Sequence, residues 1–105
     1  MRAAGTLKTK GTITVAPKGR SIVDINTHAA KRMAERGITQ EMAQQIIDNA
    51  DFAIKQRRGS QYAYYTKDGF AVLDNNGVLG TTGPLDEGGK TLYDEVMKNA
   101  KDSKQ

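Results

Sequence analysis

The spacing of apolar side chains changes twice along the chain, dividing it into a helical part, a sheet part and a last helix. Between Thr27 and Gly37, the residues Ala29, Ala30, Met33 and Ala34 form a stripe at helical spacing. Thr27 suits the cap before the first turn, and Gly37 suits the left-handed position that closes the last. Met42, Ala43, Ile46, Ile47 and Ala50 repeat the period in a second helix, capped by Thr39. From Asp51 the period falls to two, which predicts strands at Phe52–Gln56, Gln61–Thr66, Phe70–Leu73 and Val78–Thr82. The turns between them, Arg58-Gly59-Ser60, Lys67-Asp68-Gly69 and Asn75-Asn76-Gly77, each offer a glycine for positive φ. In the second strand Tyr62 and Tyr64 share a face and Tyr65 takes the other. Pro84 and Gly88-Gly89 end the sheet, and Leu92, Tyr93, Val96, Met97 and Ala100 mark a last helix capped by Thr91.

This pattern predicts an α+β domain made of two N-terminal helices, a four-stranded antiparallel β-meander and a C-terminal helix. Its helices are expected on one face of the sheet, leaving the other solvated or in use. The domain is expected over residues 21–101. Residues 1–20 read as a flexible basic leader in which Thr12-Ile13-Thr14-Val15 can form a short edge strand, and 102–105 as a frayed tail.

Composition narrows the picture in three ways. A chain of 105 residues fits one small domain, the absence of cysteine removes disulfides and thiolate zinc sites, and no apolar run is long enough to cross a bilayer. The net charge of +4 is uneven: residues 1–36 hold eight Lys/Arg against two acids, and residues 37–105 hold eight against ten. A basic N-terminal half fits a polyanion partner, and fits ordinary solubility charge equally well.

The candidate chemistry gathers on the first helix. His28, Arg32 and Arg36 recur every four residues on one side of it, and the positive end of the helix dipole, with Lys31 close by, favours an anion near His28. A surface helix with a charged back and a structural histidine would look the same, so other features must decide. Ser21, Ser60 and Ser103 lack a nucleophile elbow, no pair of residues has metal-ligand spacing, and there is no phosphate-binding glycine loop. A helix-turn-helix reading is disfavoured because the second helix has no Lys or Arg. What remains is metal-free and cofactor-free cleavage of RNA, where the 2′-hydroxyl is the nucleophile. His28 can move the proton, and Arg32 or Arg36, with Arg57 or Arg58 from the first hairpin, can stabilise charge on the phosphoryl oxygens. Thr81 or Thr82 can bond the phosphate, and a tyrosine of the second strand, such as Tyr62, can orient a base.

The run His-Ala-Ala-Lys-Arg-Met-Ala-Glu-Arg-Gly-Ile from His28 to Ile38, the Tyr62–Tyr65 and Gly69–Leu73 strands, and Gly-Val-Leu-Gly-Thr-Thr from Gly77 to Thr82 resemble the C-terminal toxin domains of bacterial polymorphic and contact-dependent growth inhibition systems. The resemblance spans about residues 27–100. It implies the barnase/EndoU/colicin/RelE-like ribonuclease fold and a metal-independent endoribonuclease that cleaves RNA, transfer RNA in particular. It also implies a cognate immunity protein as partner, and delivery as the C-terminal part of an exported or cell-surface protein that acts in the cytoplasm of the target cell. His28 would be the catalytic histidine, Arg32 and Arg36 candidate helix arginines, and Thr81 or Thr82 the phosphate-site hydroxyl; the expected RNA contacts, Lys31, Arg57, Arg58, Tyr62 and Thr81, come from the residues themselves. Two other readings stay open: a non-catalytic RNA- or protein-binding module of a phage or mobile element, and a deoxyribonuclease toxin.

Overall fold

The computed structural model describes residues 11–103, and the expectations for the first ten residues and the last two lie outside them. In chain order the elements are β1 (Thr12–Thr14), β2 (Asp24–Ile25), α1 (Thr27–Arg36), α2 (Gln40–Asp48), β3 (Phe52–Gln56), a 3-10 turn (Arg57–Gly59), β4 (Gln61–Tyr65), β5 (Gly69–Asp74), β6 (Val78–Pro84) and α3 (Glu87–Ser103). Among the described residues the fold is α+β, with three helices and a mixed sheet of six strands in the order β1-β3-β4-β5-β6-β2. The four expected strands pair antiparallel in sequence order, and two short strands extend them. β1 adds antiparallel to β3, whereas β2 pairs parallel with β6, so the sheet is not the isolated meander that periodicity predicts. Backbone bonds fix β2: Val23 N and Asp24 N both donate to Gly77 O, at 2.8 and 3.2 Å, and Asn26 N donates to Leu79 O at 3.1 Å. Ala16, after β1, is buried in the core, so the packed unit includes residues that the sequence assigns to a leader.

The helix ends follow capping chemistry, with two shifts from expectation. Asn26, not Thr27, caps α1: its side chain accepts from Ala29 N at 2.8 Å, and Thr27 is already helical. Gly37 closes α1 in the left-handed conformation at φ 67°, and Thr39 caps α2 by accepting from Met42 N at 3.1 Å. α3 starts at Glu87 rather than after Thr91, because Asp86 accepts from Gly89 N at 2.7 Å and takes Gly88 and Gly89 into the first turn.

Helices cover both faces of the sheet, which corrects the one-faced arrangement. On the first face, Ala29 and Met33 of α1 and Ala43 and Ile47 of α2 pack with Ala53, Tyr64, Ala71, Leu73 and Leu79. On the second, Val96, Leu92, Tyr93 and Met97 of α3 pack on Phe52, Ile54, Ala63, Tyr65 and Val72. α3 is held there by a Tyr93 ring 5.9 Å from that of Phe52 and by the Tyr93 hydroxyl donating to Asp51 Oδ2 at 2.6 Å. Tyr62 and Tyr64 therefore share the first face and Tyr65 the second, as alternation predicts.

One irregularity in β6 decides which side chains reach the core. Val72 pairs with Thr81 and Leu73 with Leu79, so Gly80 is an unpaired extra residue, a β-bulge. In an unbroken strand Leu79 and Thr81 would point the same way. The extra residue shifts the alternation, and Leu79 and Thr82 both become fully buried while Thr81 stays half-buried.

Candidate functional site

α1 lies along β6 and runs in the same direction. Asn26, at its start, bonds Leu79, and Arg36, at its end, donates from Nη1 to Thr82 O at 2.8 Å. A Cβ placed on Gly83 would stand 2.2 Å from Arg36 Nη1, so the missing side chain is what lets the guanidinium lie against the strand. β2 pairs only with Val78 and Leu79, and beyond that point Arg36 occupies the edge of β6. Arg32 and His28 stand at four-residue steps from Arg36, hence on the same flank of the helix. Arg32 is half-buried and bonds Glu35 Oε1 at 3.0 Å, an i,i+3 pair worth no more than about 0.5 kcal/mol in such an exposed setting. A phosphate could displace it. His28 is exposed in the first turn, and its side chain makes no hydrogen bond or ion pair among the described residues; Lys31 is exposed on the same helix. Asn26 also approaches the bulge, its Nδ2 lying 3.9 Å from where a Gly80 Cβ would be.

The other predicted site residues divide into three places. Thr82 is fully buried on the first face, and its hydroxyl donates to Phe70 O at 2.8 Å, so it has no surface to offer a phosphate. Of the two threonines, only Thr81 retains exposed surface. Arg57 and Arg58 lie in the 3-10 turn between β3 and β4, and Tyr62 follows on β4, half-buried on the first face. Two strand spacings separate β4 from β6, roughly 10 Å or more between this corner and the start of α1. The structure thus sets His28, Arg32 and Arg36 along one flank of α1, and Arg57, Arg58 and Tyr62 at a corner two strands away from it.

Three residues join that corner which the sequence left out or treated as peripheral. Arg20 lies with its guanidinium carbon 5.9 Å from the Tyr62 ring centroid and donates from Nη1 to Asn75 Oδ1 at 3.2 Å. Asn75 in turn donates from Nδ2 to Gly59 O at 2.6 Å, tying the β5–β6 turn to the 3-10 turn. Lys55 pairs across the strands with Tyr62, on the same face. The Asn-Asn-Gly turn signalled only a hairpin, and Arg20 lies far from the others in sequence, so no local pattern joins them. Burial raises the Tyr64 hydroxyl above the ordinary tyrosine range, with the Arg20 charge opposing and Tyr62 adding slightly. Among the described residues there is no group of three or more potential metal-ligating side chains and no helix long and apolar enough to cross a membrane.

No family model matches the chain, and no curated protein or solved structure is significantly similar to it.

Proposed function

We propose that this domain is a metal-independent endoribonuclease of the toxin type, acting on RNA along the α1 flank. The observation that carries the reading is the exposed His28 in the first turn of α1, with Arg32 and Arg36 behind it on the same flank. In the proposed step the His28 imidazole accepts the proton of a ribose 2′-hydroxyl. The 2′-oxygen then bonds to phosphorus, the bond from phosphorus to the 5′-oxygen breaks, and water protonates the departing 5′-oxygen. The products are a 2′,3′-cyclic phosphate and a 5′-hydroxyl. The first-turn amides left free by the Asn26 cap, and Arg32 once released from Glu35, favour the negative charge that builds on the phosphoryl oxygens. Arg36 acts differently: it fixes α1 to the edge of β6, which makes it a positioning residue. Thr81 keeps some exposed surface but pairs with Val72 on the face that α3 covers, so it takes no part in this step.

Transfer RNA is the proposed substrate, an acidic immunity protein covering the α1 flank the proposed partner, and the cytoplasm of a target cell the proposed place of action. The test is cleavage of total RNA, transfer RNA included, by the purified chain in excess chelator. His28→Ala should slow cleavage about 10²–10⁴-fold with the fold intact. Full activity in that variant overturns the assignment of His28, cleavage only on adding metal overturns the mechanism, and cleavage of DNA at a comparable rate points to a deoxyribonuclease.

A second reading has its own support. Thr82 is buried, and Arg32 and Arg36 already have protein partners, which leaves His28 without a second exposed catalytic group at hand. An RNA-binding module without catalysis fits that arrangement, and intact RNA after prolonged incubation with bound protein would favour it.

A further inference from the structure

Away from His28, four cations converge on one end of the first face and its adjoining turns. Lys55 and Tyr62 stand opposite each other on β3 and β4, Arg20 lies over the Tyr62 ring, and Arg57 and Arg58 follow Lys55 in the turn. The Lys55 side chain passes 3.6 Å from where a Gly59 Cβ would be, so it lies directly against that turn. None of the four cations has an ion pair among the described residues. The carboxylates nearest in the hydrogen-bond network are engaged elsewhere. Asp74 Oδ1 accepts from Asn76 N at 2.8 Å and Val78 N at 2.9 Å, and Asp48 accepts from Gln44, whose amide also holds Arg20 O. Beside Arg20 and Asn75 a cavity of about 240 Å³ opens, lined also by Ser21, Gly77 and Asp74, whose Oδ1 is held by the Asn76 and Val78 amides.

The turn itself is built against the preference of its residues. Arg57 has φ 50° and Arg58 φ 59°, both in the left-handed region that glycine adopts freely and other side chains do not. Two consecutive arginines in that conformation put two guanidinium groups on the tip of a tight hairpin. Asn75 braces the tip through Gly59 O, while Ser60 O accepts from Asn75 N at 2.9 Å.

We infer that this corner is a second nucleic-acid site that holds the sugar-phosphate backbone of single-stranded RNA, with Arg20, Lys55, Arg57 and Arg58 on phosphates and Tyr62 beside a base. It rests on the proposal that the domain acts on RNA and deepens it. The strand is held at two separated places, the corner and the α1 flank, rather than in one pocket. Cations that are not tied up in ion pairs supply sequence-independent attraction, and an aromatic with a guanidinium over it suits an unpaired base more than a duplex.

The experiment measures binding alone, in the His28→Ala protein, so that it stands whether or not the chain cleaves RNA. A fluorescein-labelled, mixed-sequence RNA strand is titrated by anisotropy between about 50 and 200 mM salt. Arg20→Ala and Arg58→Gly should each weaken binding and lower the slope of log affinity against log salt by about 0.7 for every phosphate that is no longer neutralised. Lys98→Ala, which removes an exposed charge of α3, should change neither. Arg58→Gly also separates binding from folding, because glycine at φ 59° relieves the turn: its unfolding temperature should rise while its affinity falls. Unchanged slopes in both arginine variants overturn the site. Equal losses with duplex DNA overturn its assignment to single-stranded RNA.

Discussion

Tyr64→Phe should stabilise the protein, although it deletes a polar group from the centre of the sheet. Tyr64 is fully buried, and its hydroxyl has no hydrogen-bond partner among the described residues. A hydroxyl moved from water into a packed interior without a partner costs about 1–3 kcal/mol in protein mutational series. Against that gain stands the small void left by one oxygen atom, whose cost is a fraction of that of a deleted methylene. The net expectation is a gain of about 1 kcal/mol, or an unfolding temperature higher by roughly 4–8 °C for a domain of this size. The assay is urea and thermal unfolding followed by circular dichroism at neutral pH. Tyr93→Phe serves as the internal contrast, since the same atom is removed there from a bond of 2.6 Å to Asp51. That variant should lose about 0.5–1.5 kcal/mol. A loss of stability in Tyr64→Phe would refute the reasoning, because it would mean that the buried hydroxyl has a partner, such as an internal water, which makes it an asset.

Four further outcomes follow from the same structure. Desolvation, the bond to Asp51 and nearby carboxylates push the Tyr93 hydroxyl up to about 12. Below pH ~10 both folded and unfolded chains hold this proton; above it the unfolded chain releases the proton first, so stability should fall from pH ~10 to 12, a decline that Tyr93→Phe should reduce in urea midpoints. Asn26→Ala should cost about 1 kcal/mol by uncapping α1, whereas Thr27→Ala should cost much less, as unfolding curves would register. Gly88→Ala, whose new Cβ would meet only Asp86 Oδ1 at 3.6 Å, should stabilise the first turn of α3 by about 0.5–1 kcal/mol in the same assay. Gly83→Ala should instead expel Arg36 from the edge of β6 and lower stability, and wild-type stability in that variant would remove Arg36 from its positioning role.

The parts of the fold legible in the sequence were those specified by local chemistry: the caps at Gly37 and Thr39, the hairpin strands, and the face-sharing of Tyr62 and Tyr64. β2 was not, because two residues have no periodicity and their pairing is with a strand far along the chain. Gly88 and Gly89 read as breakers until Asp86 is seen to cap them. The site was legible as a helix flank and illegible as a constellation. Alternation cannot foresee a bulge, and the one at Gly80 decides that Thr82 is core and Thr81 is not. Likewise, nothing in the Arg57-Arg58 pair announces a left-handed turn, since the residues themselves disfavour it.

The docking of α1 on β6 has a consequence for when the protein can assemble. The helix ends at Arg36, whereas the strand it lies against begins at Val78 and ends at Pro84, with α2 and three strands between them in the chain. A ribosome that releases the chain from its N-terminus delivers His28 long before it delivers the edge on which Arg36 locks. Helices as short as α1 are marginal in water by themselves, so the His28 flank is not organised until β6 has emerged and paired. Order on that flank therefore waits for β6, and a chain held in transit before that point has no organised His28 flank.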